Sequence, residues 1–591
     1  MVDVNAGYQR EDANDAVIRG LPRGKVHGSH ASKPDESCDE NNIPTKAHET
    51  ASSEGRDRLR LIIGVAGVGH NAKREYNQRM MTRATFALVL ALPLLGQDAE
   101  VTGGWIHGAA LTGGGAVFKG IPYAQAPVGT LRWQAPQPVR PWTGVLTTAA
   151  FGAACAQNAG GQMQQGSRED CLYLNVWTPQ WPVEATMPVM VWFHGGGNYG
   201  GTASGDNFDG ASLARHGVVV VTVNYRLSVF GFFAHPELTK ESGKKASGNY
   251  GLMDQIAALQ WVKSNIAQMG GDAGNVTIFG QSAGAVDVDV LMTSPLADGL
   301  FHRVIAESGT VARNPDAVTM GMIPLGNLMP VREGPLSYSD AATLAEAEKA
   351  GVALAASLQA PASGAIAYLR GLGAPQLLAT TTGPRMSIGP ANGIIVDGLV
   401  LPKAPAEVFA AGKQAKVPLL IGNNSRERSP DVAEDLVRAG MEAMYGPLAL
   451  RAASLYTAAD PFYGSPATQW AVDTLYRCPV VAQLVWHAGT GNASYEYEFD
   501  RPGGAAHGAE VSYVFGRAGN SISEAMQEYW TNFAKTGDPN GGSKALTVWP
   551  RFDVSARGYI EFLDGGPVAR EGLRRPFCDL YVENVKRLAA Q

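Results

Sequence analysis

The sequence predicts an α/β protein built on a large, mostly parallel sheet flanked by helices. Three observations carry that expectation. Short continuous apolar runs, such as Val189 to Phe193 and Val218 to Val223, suit strands covered on both faces. Between them lie stretches with apolar residues at three- and four-residue steps, the mark of amphipathic helices. Glycine (71) and proline (35) are frequent enough among 591 residues to serve many turns. One extended sheet can bury a chain of this length. With 45% hydrophobic and 17% charged residues, the composition is that of a folded enzyme or binding module. A net charge of -6 gives no electrostatic case for nucleic acid or an anionic membrane.

Residues 1–79 are polar, turn-rich and without sustained period, which reads as a disordered or upstream extension. Leu61 to His70 is glycine-rich, but no βαβ pattern surrounds it, so a phosphate loop is not supported. Residues 80–99 look like a signal peptide. Arg83 precedes an apolar stretch from Ala84 to Leu95 with small residues after it. That stretch falls short of the roughly 20 residues a spanning helix needs, so no permanent membrane anchor is expected. A buried apolar helix is the competing reading. The expected protein is secreted or periplasmic, with a start at Met80 or Met81 and a catalytic domain over 100–591.

Removing the leader leaves four of the five cysteines, an even number suited to an oxidising compartment. Cys155 and Cys171 would close a short loop and form the expected bridge. Whether Cys478 and Cys578 pair is left open. No cysteine or histidine cluster suggests a metal, and no cofactor is expected.

Hairpins and loops are expected from Gly103 to Gly144. After the two apolar strands, Leu252, Ile256, Leu259, Val262 and Ile266 predict a helix, and Asn275 to Phe279 a strand. Val417 to Ile421 predicts a further strand. Tyr495, Tyr497 and Phe499, alternating with Glu496 and Glu498, predict one with two unlike faces. Ser523 to Ala534 predicts a helix stopped by Gly537 and Pro539. The Ala- and Gly-rich region 310–415 reads as a helical cap or side layer.

The strand Asn275–Phe279 runs into Gly280, Gln281, Ser282, Ala283 and Gly284, and an Ala-rich segment follows. Strand, G-x-S-x-G and helix in that order are what a nucleophile elbow requires. His194, Gly195, Gly196 and Gly197 follow the strand Val189–Phe193. Glycines there let backbone N–H groups face a substrate oxygen, so Gly196, Gly197 and Ala283 are the expected oxyanion donors. The bland reading of that segment is a flexible turn.

With these motifs the chain resembles the type B carboxylesterase/lipase family, which includes cholinesterases and bacterial para-nitrobenzyl esterases. The resemblance runs from about Gly103 to the C-terminus. It rests also on Phe118 to Ala124, Leu131 to Trp133, Glu169 to Trp177, Gly248 to Gln255, Gly270 to Asp272, Ser294 to Leu296, and Ala534 to Asn540. It implies the α/β-hydrolase fold and a Ser-His-Glu triad. The acid matches Glu427 in the segment from Gly422, and the base matches His507 in His507-Gly508-Ala509-Glu510. Without the resemblance, Glu427 beside Arg426 and Arg428 reads as a solvated charge. The implied mechanism is an acyl-enzyme formed on Ser282, with His507 as base and Glu427 orienting it. His194 is expected to be structural. Arg132, Glu169 and Asp170 match positions the family uses in ion pairs, and Ser308 resembles a serine kept near the triad.

Four departures from the family pattern stand out. Gln281 stands where cholinesterases carry glutamate. No aromatic residue lies between Cys155 and Cys171, so the stacking face a quaternary ammonium needs is missing. Asn198 replaces an aromatic residue after the glycines, which points to a more polar pocket, and Asp287 stands near a usual serine. The expected substrates are small to medium apolar or aromatic esters. A lipase or an esterase dedicated to one natural product or polymer is the alternative, and a non-catalytic interaction protein on the same fold is the alternative of another class.

Overall fold

The apolar runs become the middle strands of one sheet in the computed structural model. It describes residues 96–159, 162–313, 341–381, 393–427, 434–542 and 544–589. The extension, Cys38, most of the signal-like segment and parts of 310–415 lie outside the described residues. The fold takes in residues from 96, slightly before the expected boundary at 100, because Asp98–Val101 pairs antiparallel with Gly104–His107.

Eleven strands form the main sheet: β1 (Ala109–Ala110), β2 (Ala116–Pro122), β3 (Tyr173–Thr178), β4 (Met187–Phe193), β5 (Val219–Val223), β6 (Gly271–Gln281), β7 (Arg303–Glu307), β8 (Leu419–Asn424), β9 (Ser494–Phe499), β10 (Gly558–Leu563) and β11 (Gly566–Glu571). Their order across the sheet is β11-β10-β9-β8-β7-β6-β4-β5-β3-β2-β1. Pairings from β5 through β10 are parallel, whereas both edges are antiparallel. This is the α/β-hydrolase architecture: parallel strands buried on both faces carry the site, and antiparallel edges close the sheet.

Successive residues of each strand serve opposite cores. Val189, Val191, Val221, Ile278 and Ile421 pack on one face, with Leu252, Ile256, Leu259 and Val262 of helix α1 (Tyr250–Asn265) and with helix α2 (Ala283–Leu291). Met190, Trp192, Phe279, Ile305 and Leu420 pack on the other, against Met526, Tyr529, Trp530 and Phe533 of helix α3 (Ser521–Thr536). Each such aliphatic or aromatic side chain stabilises the fold by about 1.5–3 kcal/mol. Helices do occur within 310–415, at Leu344–Ser357, Ala365–Gly371, Ala374–Leu378 and Pro405–Ala410.

Charged positions follow two patterns. Arg132 makes a forked pair with Glu169 (2.6 and 2.7 Å) and also donates to the carbonyls of Leu369, Arg370 and Leu372. Asp170 accepts from the Tyr173 hydroxyl at 2.9 Å. Disulfides Cys155–Cys171 and Cys478–Cys578 are both formed. The second spans 100 residues, and closing a loop of that length removes unfolded-state entropy equivalent to about 4–5 kcal/mol.

Strand β9 has the two unlike faces that its alternation predicts. Tyr495, Tyr497 and Phe499 face the α3 core, but Glu496 and Glu498 are buried too, on the opposite face. Glu498 is paired with Arg477. The carboxyl oxygens of Glu496 have no hydrogen-bond partner among the described residues. Burial, reinforced by Glu498, pushes its carboxyl up to about 8. The folded protein therefore holds a proton that the unfolded chain releases above its ordinary value of 4.5. Stability linked to this group is greatest below that value and falls as pH rises towards 8. Glu496→Gln is expected to stabilise the protein on the order of 2 kcal/mol at pH 8.5 and far less at pH 5. Thermal unfolding at the two pH values checks this, and an equal effect at both contradicts it.

Candidate active site

Ser282 sits between β6 and α2 with φ 58° and ψ -120°, a strained backbone that thrusts its side chain out of the turn. Both elbow glycines are required by contact. A Cβ on Gly280 would lie 2.5 Å from the carbonyl group of Gly284, and one on Gly284 would lie 2.0 Å from the Phe193 oxygen. The Ser282 N–H donates to the Glu307 carbonyl at 2.8 Å, which fastens the elbow to β7.

The glycine segment leaves β4 and folds against the elbow. A Cβ on Gly195 would meet the Gln281 oxygen at 2.6 Å and the Ser282 Cβ at 2.9 Å. Gly196 and Gly197 have φ of 114° and 66°, conformations open to glycine. Tyr199 and Gly200 donate to the Gly196 carbonyl, closing the turn. Gly196 and Gly197 thus follow directly on the residue that touches the elbow, and Ala283 opens α2 beside it.

His194 is fully buried, stacks on Tyr225 at 4.5 Å, and its Nδ1 lies 2.8 Å from the Gly195 carbonyl. Burial pulls its imidazole down to about 4, so it stays neutral and props the loop.

Glu427 is buried, not the solvated charge that its arginine neighbours suggest. It follows β8, and its Oε1 accepts from the Asn424 N–H at 2.7 Å. Its Oε2 lies 2.6 Å from His507 Nδ1, and its carbonyl accepts from the His507 N–H at 2.7 Å. Two contacts between the same residues, one through backbone and one through side chains, set the imidazole plane. The other ring nitrogen, Nε2, faces the elbow, 3.3 Å from Gln281 Nε2. The Tyr476 ring flanks the imidazole at 5.4 Å.

A second layer was only partly legible. Ser308, at φ 56°, donates to Glu510 Oε1 at 2.9 Å, and the Asn424 amide donates to Glu510 Oε2. Burial and the nearby Glu427 charge push Glu510 up to about 7. Glu307 accepts from Trp530 Nε1 at 2.7 Å, and burial drives its carboxyl well up. Of the three buried glutamates, Glu427 is the one whose carboxyl lies against the imidazole. The H-G-x-E pattern contains Glu510, but nothing local tells that it meets Ser308, 202 positions away.

The Asn198 side chain is buried, and its Nδ2 donates to Asp287 Oδ1 at 2.9 Å. Among the described residues, no group of three or more His, Cys, Asp and Glu could hold a metal ion. No described helix is long and apolar enough to cross a membrane.

The family model described as the carboxylesterase family matches residues 97–444 and 457–580. Fumonisin B1 esterase of Sphingopyxis macrogoltabida is 34% identical over 491 residues, covering 77% of this chain and 84% of that protein. Carboxylesterase 1D of Mus musculus is 32% identical over 530 residues, covering 78% and 88%. A solved PNB esterase superposes with a TM-score of 0.67 at 31% identity, over 82% of this chain and all of the other. The chain therefore belongs to the carboxylesterase family, an α/β-hydrolase enzyme that hydrolyses small-molecule carboxylic esters.

Proposed function

We propose that hydrolysis runs through an acyl-enzyme on Ser282, with His507 as general base and acid and Glu427 as its orienting carboxylate. The observation that carries this reading is the doubly held Glu427–His507 pair, whose Nε2 faces the elbow, within 3.3 Å of the Gln281 side-chain amide. With Nδ1–H donated to Glu427, the neutral tautomer leaves Nε2 as the acceptor for the Ser282 proton. Ser282 attacks the ester carbonyl. The oxyanion is held by N–H groups of Gly196, Gly197 and Ala283, and His507 protonates the leaving alkoxide. Water then repeats the sequence on the acyl-enzyme.

The proposed substrates are small to medium apolar or aromatic esters. The helices between 344 and 410 would act as a cap or side layer around the pocket. Two disulfides support maturation in an oxidising compartment, and secretion or a periplasmic location is part of the proposal. A chain-length series of nitrophenyl esters with an aromatic panel tests the substrate class. The expected result is highest kcat/KM on short apolar or aromatic acyl groups. A maximum on long-chain esters, rising at a lipid interface, would favour the lipase reading.

A further inference from the structure

Two sequence departures that look unrelated, Asn198 and Asp287, meet in the fold. They lie 89 positions apart, and their 2.9 Å hydrogen bond is buried at both ends. Asn198 directly follows the glycine segment. Asp287 lies one helical turn beyond Ala283 on α2. The bond therefore joins the two chain segments that carry the proposed oxyanion donors.

Neighbouring contacts fix both partners. The Gln255 amide on α1 donates to Asp287 Oδ2 at 2.7 Å. The Tyr225 hydroxyl donates to the His194 carbonyl at 2.6 Å and reaches Asn198 Oδ1 at 3.2 Å. Asn198 takes φ 61°, a left-handed conformation that asparagine tolerates well, and its carbonyl accepts from Ser228 N–H at 2.7 Å. Asp287 is held in a fully buried site, where desolvation pushes its carboxyl up to about 7 against the pull of Asn198, Gln255 and Tyr225. A carboxyl kept there at such a cost, with its amide donors already aimed at it, suits an acceptor for a positioning contact.

We propose that Asn198 and Asp287 are positioning residues whose hydrogen bond holds the glycine loop in register with Ala283 and so sets the oxyanion hole. This rests on the Ser282 mechanism proposed above. Neither side chain touches substrate. A small displacement of preorganised donors is enough to lower the rate, since a misplacement of about 1 Å can cost about 10²-fold.

The test uses the full chain and a nitrophenyl ester. Turnover by the wild type and its loss in Ser282→Ala first establish the underlying mechanism. Failure at that step overturns both readings, whereas success leaves the following variants to judge this one alone. Asn198→Asp sets two acidic groups against each other, Asp287 and the new carboxyl, and is expected to lower kcat about 10–100-fold, with KM changed by less than about threefold. Combining Asn198→Asp with Asp287→Asn exchanges donor and acceptor across the same gap, and kcat is expected to return to within about threefold of wild type. A merely structural role would lower the thermal midpoint and leave kcat per folded molecule unchanged. An unaltered kcat in folded Asn198→Asp, or a folded double variant without recovery, overturns the proposal. If Asn198→Asp does not fold, Asp287→Ala removes the acceptor without adding charge. It is then expected to lower kcat about 10-fold, and an unchanged kcat again overturns the proposal.

Discussion

Ser282→Ala is expected to reduce kcat on a nitrophenyl ester by roughly 10⁵–10⁶-fold while leaving the fold intact. The substitution deletes one oxygen. What remains is the oxyanion donors and substrate binding, together worth about 10³–10⁴ over water. The backbone has little reason to change. The strained φ of 58° is borne equally by serine and alanine, and the bond from residue 282 to the Glu307 carbonyl uses the main-chain N–H. Initial rates, with a thermal unfolding scan on the same preparation, check both halves. Retention of about a hundredth of the wild-type rate, in material free of other esterases, would remove Ser282 from the mechanism.

Replacing Arg477 by methionine is expected to destabilise the protein by about 3–5 kcal/mol. Arg477 is fully buried, pairs with Asp473, and donates through Nε to Glu498 Oε1 at 2.8 Å. Its guanidinium lies 4.6 Å from the Tyr463 ring centre. The adjoining carboxylates hold the guanidinium well above its usual range, so it is a fixed positive charge. Removing it leaves Glu498 buried without its cation, although Arg574 still reaches Asp473 at 2.9 Å. The penalty is the desolvation of an unpaired charge, larger than the net worth of the pair. Arg477→Lys should recover only part of the loss, because an ammonium cannot match the fork across three acceptors. The third acceptor is the Ser425 carbonyl at 2.8 Å, two residues before Glu427, so the same substitution loosens the segment that carries the acid. Denaturant midpoints measure the first effect. A change below about 1 kcal/mol would show that the buried pair is dispensable.

How much of this was legible differs between elements for a physical reason. Strands β4, β5 and β6 and helices α1 and α3 were readable because their burial imprints a period on neighbouring residues. In strand β9 alternation correctly separated two unlike faces, but the burial of both was not legible, since Arg477, the partner of Glu498, is 21 positions away. The contact between Asn198 and Asp287 was likewise not legible, because 89 positions separate them. Glu427 alone looked like a surface charge, and only the resemblance to a family singled it out.

By itself, the sequence determined the elbow around Ser282, the glycine segment after β4 and the α/β architecture. Each is encoded in a few adjacent residues whose backbone conformations and periodicities are local properties. Only the tertiary structure decided which distant groups meet. Glu427 reaches His507 across 80 positions, Asn198 reaches Asp287 across 89, and Ser308 reaches Glu510 across 202. Those meetings follow from the order of parallel strands, which sets β4, β6, β7, β8 and β9 side by side with their ends at one edge of the sheet. Strand order is a property of the whole packed core, so no window of sequence contains it.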